Sequence, residues 1–369
     1  MSVLFPFVGD TIGGSHLATI ALIKKLSARE TQTHVVLHQK GPLAELLDKE
    51  HISYEVISFP PVETGPLPAQ IAKAIRAGVY LFPWLKKEKI TVVHTNDLRM
   101  HYTWFLAAKM AGCRHIWHQH SHAPSPRLWL YMAFPNKILT ISEYTRTALP
   151  SIYRHKTMVI YNHFELPDAT YQDRKKYHQA LSAELGISED TKIIGFVGNL
   201  TAQKRPDFFL HMAAHYGRIE NAPPAYFVLI GAPRAEMQDI VNLKLNSPVL
   251  KGRATYIGAK FPVENYIAGF DALVAPSLRE GLGRVPIEAM LLKTPVLASD
   301  HGGHREIIQH GMTGILFAPD NAAAAAQDLA NMLCEPVKLE KRSFEAYDYA
   351  CRQFTSHAYL QKIIDAYAE

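Results

Sequence analysis

Short apolar runs alternate with longer segments of helical pattern along the whole chain, and this alternation restricts the folds that the chain can adopt. In the first half, the candidate strands cover residues 3–8, 34–38, 54–57, 92–94, 115–118 and 137–141. In the second half, they cover 193–197, 226–230, 255–257, 272–275, 296–298 and 315–317. Helices between successive strands indicate an α/β fold with mainly parallel sheets.

The strand series is interrupted once, by a polar stretch and a charged helical segment at 172–185. The length of 369 residues also favours two domains. We therefore predict a junction near residue 165 and two doubly wound, Rossmann-like domains, at 1–165 and 166–345. Folds of this kind bind ligands at the carboxyl ends of their strands, so a cleft between the two domains is the expected ligand site.

Composition narrows the possible partners. The net charge of +5 comes from 39 basic and 34 acidic residues, an excess too small to predict nucleic acid as a partner, although it suits anionic ligands or an acidic membrane face. The three cysteines are far apart, which supports neither a disulfide framework nor a thiolate metal site. With no standard signal sequence and no apolar stretch of membrane-spanning length, the expected location is the cytoplasm.

The helical segment 71–85 allows two interpretations. One face carries Ile71, Ile75, Val79 and Phe82, and the other carries Lys73, Arg76 and Lys87. A basic amphipathic helix can lie on a membrane surface. The favoured interpretation is an ordinary crossover helix whose apolar face covers the sheet.

The segment with the most specific chemistry is 280–290, which reads E-G-L-G-R-V-P-I-E-A-M and follows the apolar run 272–275. This order predicts a strand, a glycine loop and the start of a helix, where Gly281 and Gly283 let backbone N–H groups approach an anion closely. Glu280 and Glu288 would each accept hydrogen bonds from a diol such as a ribose or a pyranose edge. The alternative is a tight turn with two solvated carboxylates.

With its E-x7-E spacing, this segment resembles the donor-site signature of the retaining glycosyltransferases of family 4. Further matching segments are 13–14 (G-G), 142–143 (S-E), 162–165 (N-H-F-E), 196–207 (F-V-G-N-L-T-A-Q-K-R-P-D), 228–231 (V-L-I-G) and 302–306 (G-G-H-R-E). The resemblance covers nearly the whole chain. It implies the GT-B architecture, in which two Rossmann-like domains face a cleft and C-terminal helices, here 346–369, pack back on the first domain.

The resemblance also implies roles for individual residues. Lys204 would contact the donor pyrophosphate, Glu280 the transferred sugar and Glu288 the ribose hydroxyls. The other expected donor contacts are Gly13, Gly14, Gly198, Arg205, Gly281, Leu282 and Gly283. The implied donor is a nucleotide-diphosphate sugar, with no metal and no cofactor. A saccharide or a lipid-linked acceptor and a peripheral contact with the inner membrane face are further expectations.

Two positions depart from the family pattern. Asn199 stands where an arginine is usual, so Lys204, with Arg205 or Arg284, would supply more of the positive charge at the pyrophosphate. His163 replaces the usual glycine at the end of the first domain. A nucleotide-sugar epimerase and a non-catalytic nucleotide-sugar-binding protein remain alternatives, whereas no G-x-G-x-x-G or P-loop motif supports redox or ATPase chemistry.

Six of the 19 histidines fall between residues 94 and 122. On an extended segment, His118, His120 and His122 would face one side, an arrangement that suits ligands of a zinc ion. The resemblance instead places His120 at the histidine that contacts the donor sugar or the acceptor. Buried structural histidines are the third interpretation.

Overall fold

The computed structural model describes residues 1–124, 128–166, 173–355 and 358–368. The chain divides into two compact units. The first comprises Met1–His163 together with His357–Glu369, and the second comprises Phe164–Ser356. Gln172, the first residue of the helical segment expected after the junction, lies outside the described residues.

The first unit contains a parallel seven-stranded sheet in the order β3-β2-β1-β4-β5-β6-β7. Its strands are β1 (Ser2–Phe7), β2 (Gln32–Leu37), β3 (Glu55–Val56), β4 (Val92–Thr95), β5 (Arg114–Gln119), β6 (Lys137–Thr140) and β7 (Thr157–Val159). All six strands expected in this half are present. The short edge strand β7 was not expected, because its three half-buried residues form too short a run to stand out in the sequence.

Helices cover both faces of this sheet. They are α1 (Gly14–Ser27), α2 (Pro42–Lys49), α3 (Leu67–Lys87), α4 (Leu98–Ala111), α5 (Leu128–Tyr131) and α6 (Glu143–Thr147), followed by a 3-10 turn at Ser151–Lys156. Apolar side chains of α3 and α4 share a core with one face of the sheet. Those of α1 and α2 share a core with the other face.

Helix α3 does not bury the side that the favoured interpretation predicts. Its buried side is made of small and apolar residues, including Ala74, Gly78 and Leu81, and lies against α4. A Cβ atom at Gly78 would lie 2.9 Å from the Leu106 side chain, so close helix packing selects small residues here. Of the expected apolar face, Ile71, Ile75 and Val79 are exposed, whereas Phe82 is half-buried and packs against the core. The expectation that this face covers the sheet is therefore wrong for Ile71, Ile75 and Val79.

The second unit contains a parallel six-stranded sheet in the order β10-β9-β8-β11-β12-β13. Its strands are β8 (Lys192–Val197), β9 (Ala225–Ile230), β10 (Ala254–Tyr256), β11 (Ala272–Ala275), β12 (Val296–Ser299) and β13 (Ile315–Phe317). Its helices are α7 (Arg174–Leu185), α8 (Pro206–Tyr216), α9 (Ala235–Leu245), α10 (Glu264–Gly269), α11 (Arg284–Leu291), α12 (His304–Ile307), α13 (Ala322–Leu333) and α14 (Pro336–Phe354). The six strands expected in this half are confirmed, and the two sheets confirm a fold of two Rossmann-like domains.

The last helix, α15 (Ala358–Ala368), follows the second unit in the chain but packs in the first. Its residues Leu360, Ile363 and Tyr367 are buried in the core that α1 and α2 also cover. The return of a C-terminal helix to the first domain is thereby confirmed. Helix α14 packs on α11 within the second unit, so residues 346–354 do not share the position of α15. No helix among the described residues has the length and apolar character needed to cross a bilayer.

Candidate active site

Two neighbouring strands of the second sheet bring together the residues expected to bind the donor phosphate and sugar. Strands β8 and β11 are parallel neighbours, so the loops that follow them start at the same edge of the sheet. Lys204 lies on the first loop and Glu280 on the second. The Lys204 Nζ atom lies 2.5 Å from Glu280 Oε2, and both side chains are largely buried.

Backbone hydrogen bonds fix these loops to each other. The Leu278 N–H donates to the Gln203 carbonyl at 3.0 Å, and the Gly303 N–H donates to the Glu280 carbonyl at 2.9 Å. A Cβ atom at Gly303 would lie 2.6 Å from the Gly281 carbonyl oxygen, so only glycine allows this approach. The loops after β8, β11 and β12 therefore contact one another around Glu280.

The Glu280 carboxylate is ionised in this setting. Burial alone would raise its pKa, but the charge and hydrogen bond of Lys204 outweigh that effect, and the pKa of Glu280 is lowered. His304 lies nearby, with Nδ1 at 3.1 Å from the Ser299 hydroxyl oxygen. Burial lowers the pKa of His304 to about 4, so its ring is neutral at physiological pH.

The glycine loop joins β11 to α11 in the order that the sequence predicts. Gly283 caps α11 with φ of 97°, a left-handed conformation that favours glycine. A Cβ atom there would lie 3.0 Å from the His304 ring. Gly281 and Leu282 are buried beside it. The loop thus leads into a helix N-terminus, where unpaired N–H groups favour anions.

Glu288 lies one turn into α11 and pairs with Arg284. The Arg284 Nη2 atom donates to Glu288 Oε1 at 2.9 Å, and its guanidinium lies 4.7 Å from the centre of the Phe164 ring. Burial raises the pKa of Glu288, partly offset by Arg284. The pair leaves the second carboxylate oxygen of Glu288 to accept other donors. The four-residue spacing of Arg284 and Glu288 is the sequence signal for this pair, which the predicted phosphate role of Arg284 does not include.

Arg205 and Gly198 shape the loop after β8. Arg205 has φ of 57° and caps α8. Its guanidinium donates to the Pro319 carbonyl at 2.6 Å and lies 4.5 Å from the Phe208 ring centre. Gly198 has φ of 156° and packs against the Lys204 side chain. Asn199, at the position where the family has arginine, is exposed.

In the first unit, Gly13 and Gly14 lie where the loop after β1 enters α1. Gly13 is the N-cap residue, and its N–H donates to His16 Nδ1 at 3.0 Å. The same loop is held to α4 by a bidentate ion pair that the sequence did not reveal. Arg99 donates to the two carboxylate oxygens of Asp10 at 2.7 and 2.9 Å, and these bonds lower the pKa of Asp10.

His120 directly follows the last residue of β5. Its Nε2 atom lies 3.2 Å from the Asn96 side-chain oxygen, and its ring centre lies 4.1 Å from that of His118. His118 is buried, with Nδ1 at 3.1 Å from His94 Nε2. His94 Nδ1 in turn lies 2.5 Å from the Tyr367 hydroxyl oxygen of α15. Buried polar contacts therefore run from Tyr367 of α15 through His94 to His118, whose ring packs on that of His120.

The remaining histidines of this region make ring contacts or hydrogen bonds, and the Thr95 hydroxyl lies 2.6 Å from His101 Nδ1 and 2.9 Å from His115 Nε2. His122 stacks on Tyr144, with ring centres 4.1 Å apart, and His101 stacks on Trp117 at 3.8 Å. Burial lowers the pKa of His115 to about 3. Within the described ranges, no three metal-binding side chains converge, so the zinc interpretation finds no geometry to support it there.

Comparisons with known proteins match both halves of the chain. Residues 191–335 match the family described as "Glycosyl transferases group 1", and residues 12–166 match "Glycosyltransferase Family 4". Over 195 residues, the chain is 28% identical to a D-inositol 3-phosphate glycosyltransferase of Nocardia farcinica, covering 51% of this chain and 43% of that protein. The chain spans about half the length of this and several other curated relatives that it matches.

One relative is matched over most of its length. The UDP-Gal:alpha-D-GlcNAc-diphosphoundecaprenol alpha-1,3-galactosyltransferase of Escherichia coli is 23% identical over 329 residues, covering 83% of this chain and 81% of that protein. Among solved structures, Anabaena Alr3699/HepE in complex with UDP and glucose aligns over 100% of both chains with a TM-score of 0.82 at 21% identity. A glycosyltransferase from Rickettsia africae aligns over 99% of this chain and 97% of its own, with a TM-score of 0.85 at 19% identity.

The fold, the order of the motif segments and the matched family models agree. Two parallel sheets with interspersed helices carry the E-x7-E segment on the loop and helix after β11. The two family models together cover residues 12–166 and 191–335. The chain belongs to the group 1 glycosyltransferases of GT-B fold.

Proposed function

We propose that this glycosyltransferase is a retaining enzyme that moves a sugar from a nucleotide-diphosphate sugar to an acceptor hydroxyl. The observation that carries the proposal is the Lys204–Glu280 pair, a cation and an ionised carboxylate held together at the edge of the second sheet. A donor sugar-phosphate carries both an anion and hydroxyl groups, which such a pair can bind together.

The second unit offers a candidate partner for the pyrophosphate, the transferred sugar and the ribose of the donor. Lys204 and the N-terminus of α11 are suited to the pyrophosphate, and Glu280 to hydroxyls of the transferred sugar. Glu288 is suited to the ribose, since Arg284 holds its carboxylate in one orientation. The structures of Alr3699/HepE with UDP and with UDP-glucose support a nucleotide-sugar donor.

In the proposed reaction, the bond between the anomeric carbon and the phosphate oxygen breaks as the acceptor oxygen bonds to the same face of that carbon. The acceptor proton passes to the departing phosphate, so no carboxylate nucleophile is required. Negative charge develops on this phosphate, and Lys204 stabilises it together with backbone N–H groups of residues 281–283. We propose that neither a metal ion nor another cofactor is needed.

We further propose that His120 contacts the transferred sugar or the acceptor. Its ring is oriented by Asn96 and packs on His118, which limits its rotation. The acceptor class proposed is a saccharide or lipid-linked saccharide in bacterial surface polysaccharide or glycolipid assembly. The Escherichia coli relative supports this class, because its name gives alpha-D-GlcNAc-diphosphoundecaprenol as the acceptor.

Incubation with a panel of nucleotide sugars tests the proposal. The chain should release nucleoside diphosphate from one donor, faster with acceptor present, and the rate should persist in EDTA. Nuclear magnetic resonance of the product should show the anomeric configuration of the donor. Epimerisation of the sugar without net release of nucleotide would indicate an epimerase, and binding without turnover would indicate a binding protein.

A further inference from the structure

His304 of the second unit lies beside Glu280 but has no part in the proposed transfer step. It follows Gly303, whose N–H donates to the Glu280 carbonyl at 2.9 Å. Burial lowers the pKa of the His304 ring, the Glu280 charge opposes this effect and the Lys204 charge adds to it. Because such effects weaken with distance, both charged groups of the candidate site are close to the ring.

The hydrogen bonds of His304 decide which ring nitrogen carries the hydrogen. The Ser299 hydroxyl oxygen lies 2.5 Å from the Ser277 carbonyl oxygen, and since a carbonyl only accepts, the hydroxyl hydrogen is used there. His304 Nδ1 lies 3.1 Å from this hydroxyl oxygen and 3.2 Å from the Ser299 carbonyl oxygen. Both oxygens accept, so Nδ1 carries the hydrogen. Burial lowers the pKa of His304 to about 4, so Nε2 holds a lone pair at neutral pH.

The Nε2 edge of the ring faces the glycine loop. A Cβ atom at Gly283 would lie 3.0 Å from His304 Cδ2 and 3.4 Å from Nε2, so the absence of a side chain leaves this edge open on that side. Among the residues that the structure describes, none hydrogen-bonds to His304 Nε2, and this atom is not fully occluded, in contrast to His118 Nε2. A ligand group can therefore reach it.

We propose that His304 Nε2 accepts a hydrogen bond from a hydroxyl of the transferred sugar, next to the hydroxyl that Glu280 binds. This inference rests on the proposed transfer from a nucleotide sugar. A neutral nitrogen with a lone pair does not bind a phosphate oxygen, because both groups accept. Two neighbouring acceptors select a sugar with free hydroxyl groups. A deoxy, fluoro or O-methyl group facing His304 is disfavoured, because none of them donates a hydrogen bond.

Two substitutions separate this role from a structural one. The amide nitrogen of asparagine reaches the place of Nδ1, so His304→Asn keeps the hydrogen bond to Ser299 and removes the acceptor at Nε2. The amide of glutamine reaches the place of Nε2, so His304→Gln restores an acceptor there and loses the bond to Ser299. A sugar contact requires the glutamine variant to bind the donor more tightly than the asparagine variant, whereas a structural role requires the reverse.

Calorimetry compares a nucleotide sugar with its nucleoside diphosphate. The nucleotide sugar is the one that the unmodified chain cleaves, from a panel of UDP-glucose, UDP-galactose, GDP-mannose and ADP-glucose. His304→Asn should weaken its binding by about 5- to 100-fold and leave binding of the nucleoside diphosphate unchanged. His211→Asn is the control, because His211 is an exposed histidine on α8 of the same unit. It should bind both ligands as the unmodified chain does.

Nitrogen-15 magnetic resonance of the histidine rings tests the inference without any donor. The His304 signals, identified by their absence in His304→Asn, should show hydrogen on Nδ1 and none on Nε2 at neutral pH. Hydrogen on Nε2, equal affinity of His304→Asn and the unmodified chain for the nucleotide sugar, or weaker binding by His304→Gln than by His304→Asn would each overturn the inference. Absence of cleavage with every donor would instead contradict the transfer reaction, so the two failures are distinguishable.

Discussion

The Lys204 ammonium group lies 2.5 Å from the Glu280 carboxylate, although 76 residues separate the two in sequence. The parallel order of β8 and β11 creates this proximity, because both loops leave the same edge of the sheet. The pair is largely buried, so each partner compensates the other's charge. A change at either residue therefore alters the state of both.

Replacing Lys204 with methionine should weaken binding of a nucleoside diphosphate by about 10- to 100-fold, because hydrogen bonds to charged groups contribute about 1.5–3 kcal/mol. The same change should raise the pKa of Glu280, since the lysine charge lowers it. Calorimetry with the diphosphate and with the uncharged nucleoside measures the difference. Lys260→Met is the matched control, because Lys260 pairs with Glu184 elsewhere in the unit. Equal losses for nucleoside and diphosphate would contradict the phosphate role.

The substitution Glu288→Gln should weaken binding of the nucleoside and its diphosphate alike, by about 10-fold or more, because both carry the ribose hydroxyls that the carboxylate would accept from. A dideoxyribose analogue should bind the variant and the unmodified chain equally. Glu345→Gln, which also removes a carboxylate spaced four residues from its cation, should have no effect. Unchanged affinity of Glu288→Gln for the ribonucleotide would exclude the ribose contact.

His120→Ala should lower the turnover number by about 10- to 1000-fold, the effect of losing one positioned polar or acid–base group. Nucleotide affinity should stay the same, since the nucleotide contacts proposed for Lys204, Glu288 and residues 281–283 do not involve this ring. His122→Ala is the control, because His122 stacks on Tyr144 two residues beyond His120. His118 is unsuitable as a control because it is buried. Full turnover in His120→Ala would make the histidine structural.

Tyr367→Phe should reduce the free energy of unfolding by about 1–3 kcal/mol, because the change removes the partner of a buried His94 nitrogen. Urea unfolding compares the variant with Tyr80→Phe, which removes the hydroxyl of a tyrosine that is 55% exposed. Equal stabilities of the two variants would mean that the buried contact contributes nothing. Deletion of α15 should have a larger effect, since several of its apolar side chains lie in the core.

Acidification should destabilise the chain through its buried histidines. Burial lowers the pKa of six of them below the ordinary value of 6.5: His38, His94, His101, His115, His118 and His304. Between that value and about 4, the unfolded state binds protons that the folded state does not, so stability falls as the pH falls. Each such histidine contributes a slope of up to about 1.4 kcal/mol per pH unit.

Urea unfolding at pH 7.5, 6.5 and 5.5 measures this dependence. The His115→Gln variant should show a shallower slope between pH 6.5 and 5.5, because it lacks one of the titrating groups. Greater stability at pH 5.5 than at pH 7.5 would contradict the burial of these rings in neutral form.

The sequence was sufficient for the strands and for the glycine loop because both depend on local patterns. Apolar runs bounded by helical segments identified every strand except β7, and Gly283 occupies the left-handed position that its motif requires. The partners of the site residues depend on tertiary packing instead. The Arg284–Glu288 pair is an exception, because its four-residue spacing on α11 is a local signal for an ion pair.

Helix α3 shows why hydrophobicity alone was misleading. Isoleucine and valine are the more apolar residues, so the row at 71, 75 and 79 was expected to face the sheet. Close packing on α4 requires small residues, and Gly78 and Ala74 provide that surface. The helix orients by shape complementarity, and Ile71, Ile75 and Val79 remain exposed while Leu81 and Leu85 are buried.

The position of α15 has a consequence for synthesis of the protein. The first unit needs this helix to complete its core, yet the ribosome makes all of the second unit before it reaches Ala358. During that interval, the apolar sheet surface that α15 later covers is accessible to other chains. The first unit therefore emerges from the ribosome first but completes its core last. Aggregation or chaperone binding would begin at the sheet surface that α15 has not yet covered.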